Sequence, residues 1–358
     1  MKILHTADIH LKKYEDERWN TLQKLIEIGK EENVEIFVIS GDLFDKEIDA
    51  ESLRSPIRQL FSNNSFKIVI LPGNHDSNSY KGGMYFGDDA NILTEFNQPF
   101  EYKDLKVWGL PFEPIKGDKI LDKLYSLSSS FDTKMKNILL YHGELVDAFD
   151  SAYSRKDFGD EGEERYMPLK LSYLKDLNIK YVLAGHFHSK FEMWEFDTHK
   201  YFVYPGSPVS ITKKEIGQRK VNLFELGSPP KEYSLDTFHY EELNIEFDPF
   251  EEINLLSKVN DEIKKLPSNS RIKLNIRGYI NSEKIKINED ELVKKIKDII
   301  KEKCDLEDFN PEFKNISEII EDDLFKNFKK KLDQNDYNEE KKKQLIDLAI
   351  KAMMVAKK

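Results

Sequence analysis

Ile36-Phe-Val-Ile-Ser-Gly-Asp-Leu-Phe-Asp45 begins with four apolar residues in a row and ends in a loop that carries two carboxylates. A short continuous apolar run is what a strand covered on both faces requires; a strand with one wet face would alternate. Gly41 lets the chain leave the strand sharply, so Asp42 and Asp45 fall just beyond its end. The same event recurs along the chain. Residues 2–7 are followed by Asp8-Ile9-His10, and 67–71 by Pro72-Gly73-Asn74-His75-Asp76. Residues 137–141 are followed by His142-Gly143-Glu144, and 181–184 by Gly185-His186-Phe187-His188. Two more apolar runs, 201–204 and 221–226, come before residue 228. Between the first two runs Trp19, Leu22, Leu25, Ile26 and Gly29 share one helical face. Short buried strands alternating with helical segments predict a layered α/β domain.

The length, 358 residues, allows two or three domains, and 39% hydrophobic residues can build a sizeable core. No stretch approaches the roughly 20 apolar residues that a membrane span needs. The apolar N-terminus meets Asp8 at once, so it is expected to be a first strand and not a signal sequence. A single cysteine, Cys304, excludes an internal disulfide and suits a reducing cytoplasm. The net charge of −11 excludes nucleic-acid binding by overall charge; any such contact must use local basic residues or bound cations.

Gly227-Ser-Pro-Pro230 is a breaker cluster and marks the expected end of the first domain, 1–228. Beyond it the pattern restarts as a small βαβα module over 231–310. Leu243, Ile245 and Phe247 alternate, Phe250, Ile253, Leu256, Val259, Ile263 and Leu266 have helical spacing, and Ile272, Leu274 and Ile276 alternate again. Asn288-Glu-Asp-Glu291 reads as a helix start. On that second strand Arg271, Lys273 and Arg277 either touch phosphates or form a solvated face. From 315 to 358 the chain is helical and charged. Ile316, Ile320, Leu324, Phe328 and Leu332 predict one helix, and residues 338–356 another. The stretch 345–356 is apolar nearly all round, so it is expected to be buried on more than one side. Leu345, Leu348, Ala352 and Val355 are its candidate partner-binding residues, in a groove of another protein.

The chemistry lies in the strand-end loops. Five of the eight histidines are in them, beside aspartates and an asparagine. Any one of these short motifs alone reads as structural; all of them at strand ends, where α/β sheets build sites, do not. Carboxylate, imidazole and amide oxygen together suit divalent ions such as manganese, and the lack of thiolates argues against structural zinc. His5 lies inside the first strand and reads as a core residue. His199 and His239 read as surface residues.

The ordered set Asp-x-His, Gly-Asp-x-x-Asp, Gly-Asn-His-Asp, His, Gly-His-x-His resembles the calcineurin-like metallophosphoesterase superfamily. That resemblance implies a four-layer α/β fold, a two-sheet β-sandwich flanked by helices, with two divalent metal ions, Mn²⁺ foremost. One metal would be held by Asp8, His10, Asp42 and His188, and the other by Asp42, Asn74, His142 and His186. His75 would face the scissile phosphate, oriented by Asp76. Members of the family carry histidine or aspartate at the place of Asp45, which leaves it open between support of the ligands and ligation. The opening Lys2-Ile-Leu-His-Thr-Ala-Asp-Ile-His-Leu11, the Gly41–Asp45 loop and Tyr204-Pro-Gly-Ser-Pro208 further resemble the SbcD-type nuclease subunit that partners an SMC-like coiled-coil ATPase in double-strand-break repair. This implies a DNA nuclease with 3′-to-5′ exonuclease and single-strand endonuclease activity, a homodimer, a small α+β capping domain that selects DNA, and a C-terminal helical tail on the ATPase. The alternative is a phosphodiesterase or phosphatase of a smaller substrate, which would share the metal site but leave the cap and tail without a purpose. The charged segment 150–165 resembles nothing and reads as a solvated loop.

Overall fold

In the first unit, Met1–Tyr240, twelve short strands and three helices alternate among the described residues. The computed structural model describes residues 1–356 except 82–83, 116–118, 132, 148–166 and 252–253, so the charged segment at 150–165 and Ile253 lie outside the described residues. The strands are β1 (Lys2–Thr6), β2 (Ile36–Ser40), β3 (Lys67–Leu71), β4 (Ala90–Ile92), β5 (Phe100–Tyr102), β6 (Leu105–Leu110), β7 (Lys136–His142), β8 (Tyr181–Gly185), β9 (Glu192–Asp197), β10 (Lys200–Tyr204), β11 (Lys220–Glu225) and β12 (Glu232–Ser234). The helices are α1 (Glu17–Glu31), α2 (Glu47–Leu60) and α3 (Lys119–Ser128). Two six-stranded sheets form, ordered β12-β11-β1-β2-β3-β4 and β5-β6-β7-β8-β10-β9.

The continuous apolar runs have the reason expected of them. In β2, Ile36 and Val38 point between the sheets, where they join Ile3, Val69 and Leu71 from one sheet and Val107, Ile138, Leu140 and Leu183 from the other. Phe37 and Ile39 point the opposite way and pack with Leu22, Leu25 and Ile26 of α1 and Leu53 and Ile57 of α2. The second sheet is covered likewise: Leu139, Tyr141, Val182 and Phe202 pack with Ile120, Leu124 and Leu127 of α3. Both faces of both sheets are therefore dry, which is the four-layer arrangement. β1 to β4 run parallel, as do β6, β7, β8 and β10.

Gly227-Ser-Pro-Pro230 is not a linker. β12 returns antiparallel along β11, with Asn222 opposite Glu232, so the cluster is the turn of a hairpin. Gly227 supplies the positive φ (109°) that the turn needs. Glycine and proline serve a tight turn as well as a linker, which is why this unit runs on to Tyr240, past the boundary expected at 228.

The second unit, Glu241–Lys358, is built on β13 (His239–Phe247), β14 (Ser270–Ile280) and β15 (Phe309–Asn315), with α4 (Leu255–Lys264), α5 (Ser282–Ile285) and α6 (Glu289–Ile300). Ile245, Phe247, Ile272, Leu274 and Ile276 pack with Val259, Ile263, Leu292 and Ile296. Asn288 caps α6 by accepting from Glu291 N at 2.8 Å. Cys304 is buried in the same core. Arg271 and Arg277 lie on the polar side of β14, paired with Asp305 (3.5 Å) and Glu312 (3.0 Å).

The expected single helix over 316–332 is broken into α7 (Ser317–Glu321) and α8 (Asp323–Asp333). The break is at Asp322, whose carboxylate caps α8 on Leu324 N at 2.9 Å; a cap there satisfies the helix start better than helical continuation does. The last helix, α9 (Glu339–Ala356), corrects a further expectation. It is not apolar for a partner alone, because Ile350 is buried against Ile316, Ile319 and Phe325, with Phe250 and Tyr279 beside them. The residues after 315 thus pack as part of the second unit and not as a free tail. Leu348, Ala352 and Val355 are exposed and Leu345 is half-buried, along the opposite face of the helix.

Candidate metal centre

All seven expected ligands arrive at one end of the two sheets. Asp8 and His10 follow β1, Asp42 follows β2, Asn74 follows β3, His142 ends β7, and His186 and His188 follow β8. All but Asn74 are buried, Asn74 being half-buried. Ligand atoms of Asp8, His10 and His188 lie within 4.8 Å of one another, as do those of Asp8, Asp42 and His142. His142 Nε2 is 3.2 Å from Asp42 Oδ2 and 2.9 Å from Asn74 Oδ1. His10 Nε2 is 3.7 Å from the same Asp42 oxygen, and His188 Nε2 is 3.7 Å from Asp8 Oδ1. The His186 ring stands 5.4 Å from that of His142.

Bringing so many polar groups together strains the backbone. Asp8, His10, Asp42 and His186 all have positive φ (56°, 51°, 51° and 93°), where a side chain is unfavourable by roughly 1–3 kcal/mol. Each is strapped down. Both oxygens of Asp8 accept from His186 N, and His10 N donates to the Asp42 carbonyl. Gly41 and Gly73 are glycines because a Cβ would stand 1.9 Å from His142 Nδ1 and 2.1 Å from Asp42 Oδ1 respectively.

Asp76 corrects the expected orientation of His75. Its carboxylate accepts from Gly73 N (2.8 Å), Leu43 N (2.8 Å), Phe44 N (3.2 Å) and the Tyr80 hydroxyl (2.8 Å). It therefore ties the Asp42 loop to the Asn74 loop, and its oxygens are spent on that. Burial and the nearby Asp42 push its carboxyl up to about 6. The His75 ring is held instead by the main chain of Asp45, whose carbonyl lies 3.1 Å from Nδ1. The side chain of Asp45 lies 3.5 Å from His10 Nδ1 and 3.2 Å from Arg18. Burial raises its carboxyl, but His10 and Lys12 outweigh burial and hold it below the usual carboxylate range.

Three supporting residues carry no motif. Glu215 places Oε1 3.6 Å from His188 Nδ1, while Oε2 accepts from Ser207 Oγ (2.9 Å) and Ile211 N (2.7 Å). Buried Arg219 donates to the Ser207 and Ser189 carbonyls (2.9 and 3.0 Å) and to the His188 carbonyl. Arg18 is the third. Their only sequence signal is position: Glu215 and Arg219 follow the Tyr204–Pro208 motif and Arg18 the Asp8–His10 motif, and burial is not visible in a single chain. Of the remaining histidines, His5 is buried in β1, where burial pushes its imidazole down to about 3. His199 is exposed, but His239, expected at the surface, is buried with Nδ1 2.7 Å from the Thr237 carbonyl.

The donors suit divalent cations. Both ring nitrogens of His10 and of His188 are sealed from solvent and make no hydrogen bond among the described residues, an arrangement that would be costly unless they met another electrophile. The protons report the same. Burial would lower His142, yet Asp42 and Asp8 raise it to about 10. His188 is lowered by burial and raised to about 9 by Asp8 and Glu215. Burial likewise raises Asp42, but His142, His10 and His75 pull it well below the carboxylate range. Imidazolium here occupies the electrostatic place of a cation, so cation binding must expel those protons. Apparent affinity should therefore rise with pH up to about these values. Calorimetry in buffers of different ionisation enthalpy should register proton release at neutral pH; none released would contradict this charge arrangement.

A two-sheet sandwich that gathers buried carboxylates, imidazoles and an amide at its strand ends could hold divalent cations, as a metal-dependent phosphoester hydrolase requires. The model of the calcineurin-like phosphoesterase family matches residues 1–190, more than half the chain, and the protein belongs to that family. It is also similar to the DNA double-strand break repair protein Mre11 of Saccharolobus solfataricus, at 24% identity over 239 residues. The alignment takes in 60% of this chain and 56% of that protein, so the chain spans a little over half the length of this relative. Solved structures with a similar arrangement include a dimetal phosphatase from Danio rerio, with TM-score 0.42 and 11% identity over 62% of this chain and 91% of that one. A Thermus thermophilus protein matches with TM-score 0.38 and 13% identity over 62% and 92%. No helix among the described residues is long and apolar enough to cross a membrane.

Proposed function

We propose that this protein is a DNA nuclease that uses two divalent cations, manganese foremost, to process DNA ends in double-strand-break repair. It would act as a 3′-to-5′ exonuclease and single-strand endonuclease, as a homodimer, in the cytoplasm, with a coiled-coil ATPase. The observation that carries the reading is the convergence of Asp8, His10, Asp42, Asn74, His142, His186 and His188, with the His75 ring 4.7 Å from that of His10. The similarity to Mre11 supports DNA as the substrate. The apolar stripe on α9 supports a protein partner, and the second unit would select which DNA is admitted.

Bound cations would supply an activated water and neutralise charge on the phosphodiester, which matters for a chain of net charge −11. The residues do the positioning. Asp42 Oδ2 lies near both His10 Nε2 and His142 Nε2, so one carboxylate oxygen could serve both cations. The Ser40 carbonyl, 2.8 Å from His142 Nδ1, leaves Nε2 directed to the centre. Donation from His75 Nδ1 to the Asp45 carbonyl makes Nε2 the nitrogen that would meet the scissile phosphate; carrying a second proton there, as imidazolium, the ring would stabilise the departing oxygen or give it that proton.

One assay tests the reading: linear duplex DNA against a chromogenic phosphodiester, each with Mn²⁺ and with excess chelator. We expect DNA cleavage that chelator abolishes and Mn²⁺ restores best. Turnover of the small diester without DNA cleavage would favour the smaller-substrate phosphodiesterase. Full activity in chelator would refute metal dependence altogether.

A further inference from the structure

Arg18 is invisible as a functional residue in the sequence, yet it touches both loops that frame His75. It sits in the first turn of α1, placed there by Asp16, whose carboxylate caps the helix on Arg18 N (3.1 Å) and Trp19 N (2.9 Å). From there its guanidinium donates to the carbonyl of His10 and lies 3.2 Å from Asp45 Oδ1. The side chain is largely enclosed, at 14% exposure. Asp45 is in turn the residue whose carbonyl holds His75 Nδ1, and its amide donates to the Leu11 carbonyl at 3.1 Å. Arg18, Asp45 and His75 thus form one chain of contacts, with the left-handed turn at His10 braced at its side.

We propose that Arg18 is a positioning residue that acts through Asp45 on His75, fixing the imidazole with Nδ1–H inward and Nε2 toward the substrate. A planar guanidinium can brace a carbonyl and a carboxylate at once, which a lysine ammonium on a flexible stem does less well. Lys12 also reaches Asp45, at 3.2 Å, but its side chain is 46% exposed and is free to leave. Among the described residues Arg18 meets one of the seven proposed ligands, His10, and does so at its main-chain carbonyl and not at its imidazole. Loss of Arg18 should therefore leave the cations in place and loosen the His75 ring. A misplaced catalytic group of this kind costs roughly ten- to hundredfold in rate.

The inference rests on the proposed role of His75, and the experiment separates the two. R18M, R18K, H75A and the double variant R18M/H75A would be assayed with Mn²⁺ for kcat, KM and bound metal. In parallel, nitrogen-15 histidine spectra of the magnesium-loaded full chain would report the His75 tautomer. R18M should lower kcat roughly ten- to hundredfold, with KM and metal content close to wild type, and R18K should recover part of the loss. In the H75A background the same change should cost less than about twofold, because coupled residues are not additive. The His75 signals should shift from a single Nδ1–H tautomer to a mixture in R18M. The proposal is overturned by loss of metal in R18M, by an undiminished effect of R18M in the H75A background, or by unchanged His75 signals. If H75A itself keeps wild-type kcat, the role of His75 falls, while the spectra still decide what Arg18 does to the ring.

Discussion

Asp42→Ala is expected to strip bound metal from the protein and leave no measurable turnover, whereas His75→Ala should keep both cations and still lose roughly 10²- to 10⁴-fold in kcat. The contrast follows from where each group sits. Asp42 is wholly buried and faces His10 and His142 from one carboxylate, so its removal leaves imidazoles crowded together without the anion that offsets them. It also removes the acceptor of His75 N (3.0 Å), which joins the Asp42 loop to the Asn74 loop. His75 is only half-buried and is held through Nδ1 by a carbonyl. A nitrogen of His75 does lie within 4.8 Å of His10 and Asp42 atoms, so metal content is the deciding measurement. Mass spectrometry under native conditions should find two cations in His75→Ala. One cation fewer would make His75 a ligand and would reassign the catalytic group.

The second large effect is at α9, where two faces of one helix should respond differently. Leu345, Leu348, Ala352 and Val355 recur at three- and four-residue spacing and form one stripe, with Leu348 63% and Val355 76% exposed. An exposed apolar stripe of this kind is a docking surface more readily than a solvated face. Charged replacements at Leu348, Ala352 and Val355 should weaken binding to a coiled-coil ATPase at least roughly hundredfold, a loss of about 3 kcal/mol. Thermal unfolding should be unchanged. The inward face should behave in the opposite way. Ile350→Ala should destabilise the second unit by about 2–5 kcal/mol, because Ile350 is 1% exposed and packs on Ile316, Ile319 and Phe325. Deleting 338–358 would remove both faces together, so its effect on binding could not be told from loss of packing. Cleavage of a small diester should survive every one of these changes, since all seven proposed ligands precede residue 189. Unaltered ATPase binding by the triple charged variant would remove the partner role of this stripe.

Much of the site was legible because ligand chemistry is local. Asp8-Ile9-His10 or Gly185-His186-Phe187-His188 alone would read as structural; it is their shared place at strand ends that marks them as one set. Asp45 was legible only as a member of a motif. The sequence does not say that its carbonyl, not its side chain, would hold His75. At Asp76 the resemblance implied a partner for His75, while its carboxylate turned back on three main-chain amides and Tyr80. Glu215, Arg219 and Arg18 were silent because a charged residue looks solvated until its enclosure is known.

Taken by itself, the sequence determined the layered α/β class, the buried strands, the gathering of polar residues in strand-end loops and the helix start at Asn288. Each depends on residues close in the chain, through periodicity, capping or the chemistry of one loop. Only the tertiary structure decided that Gly227–Pro230 is a hairpin turn, that Asp322 divides a helix, that α9 packs inward with Ile350, and that Arg18 reaches Asp45. The physical reason is common to all four. Turn, cap, apolar face and guanidinium each fit more than one local setting, and the choice among them falls to partners distant in sequence, whose packing and hydrogen bonds outweigh a local preference of about 1 kcal/mol.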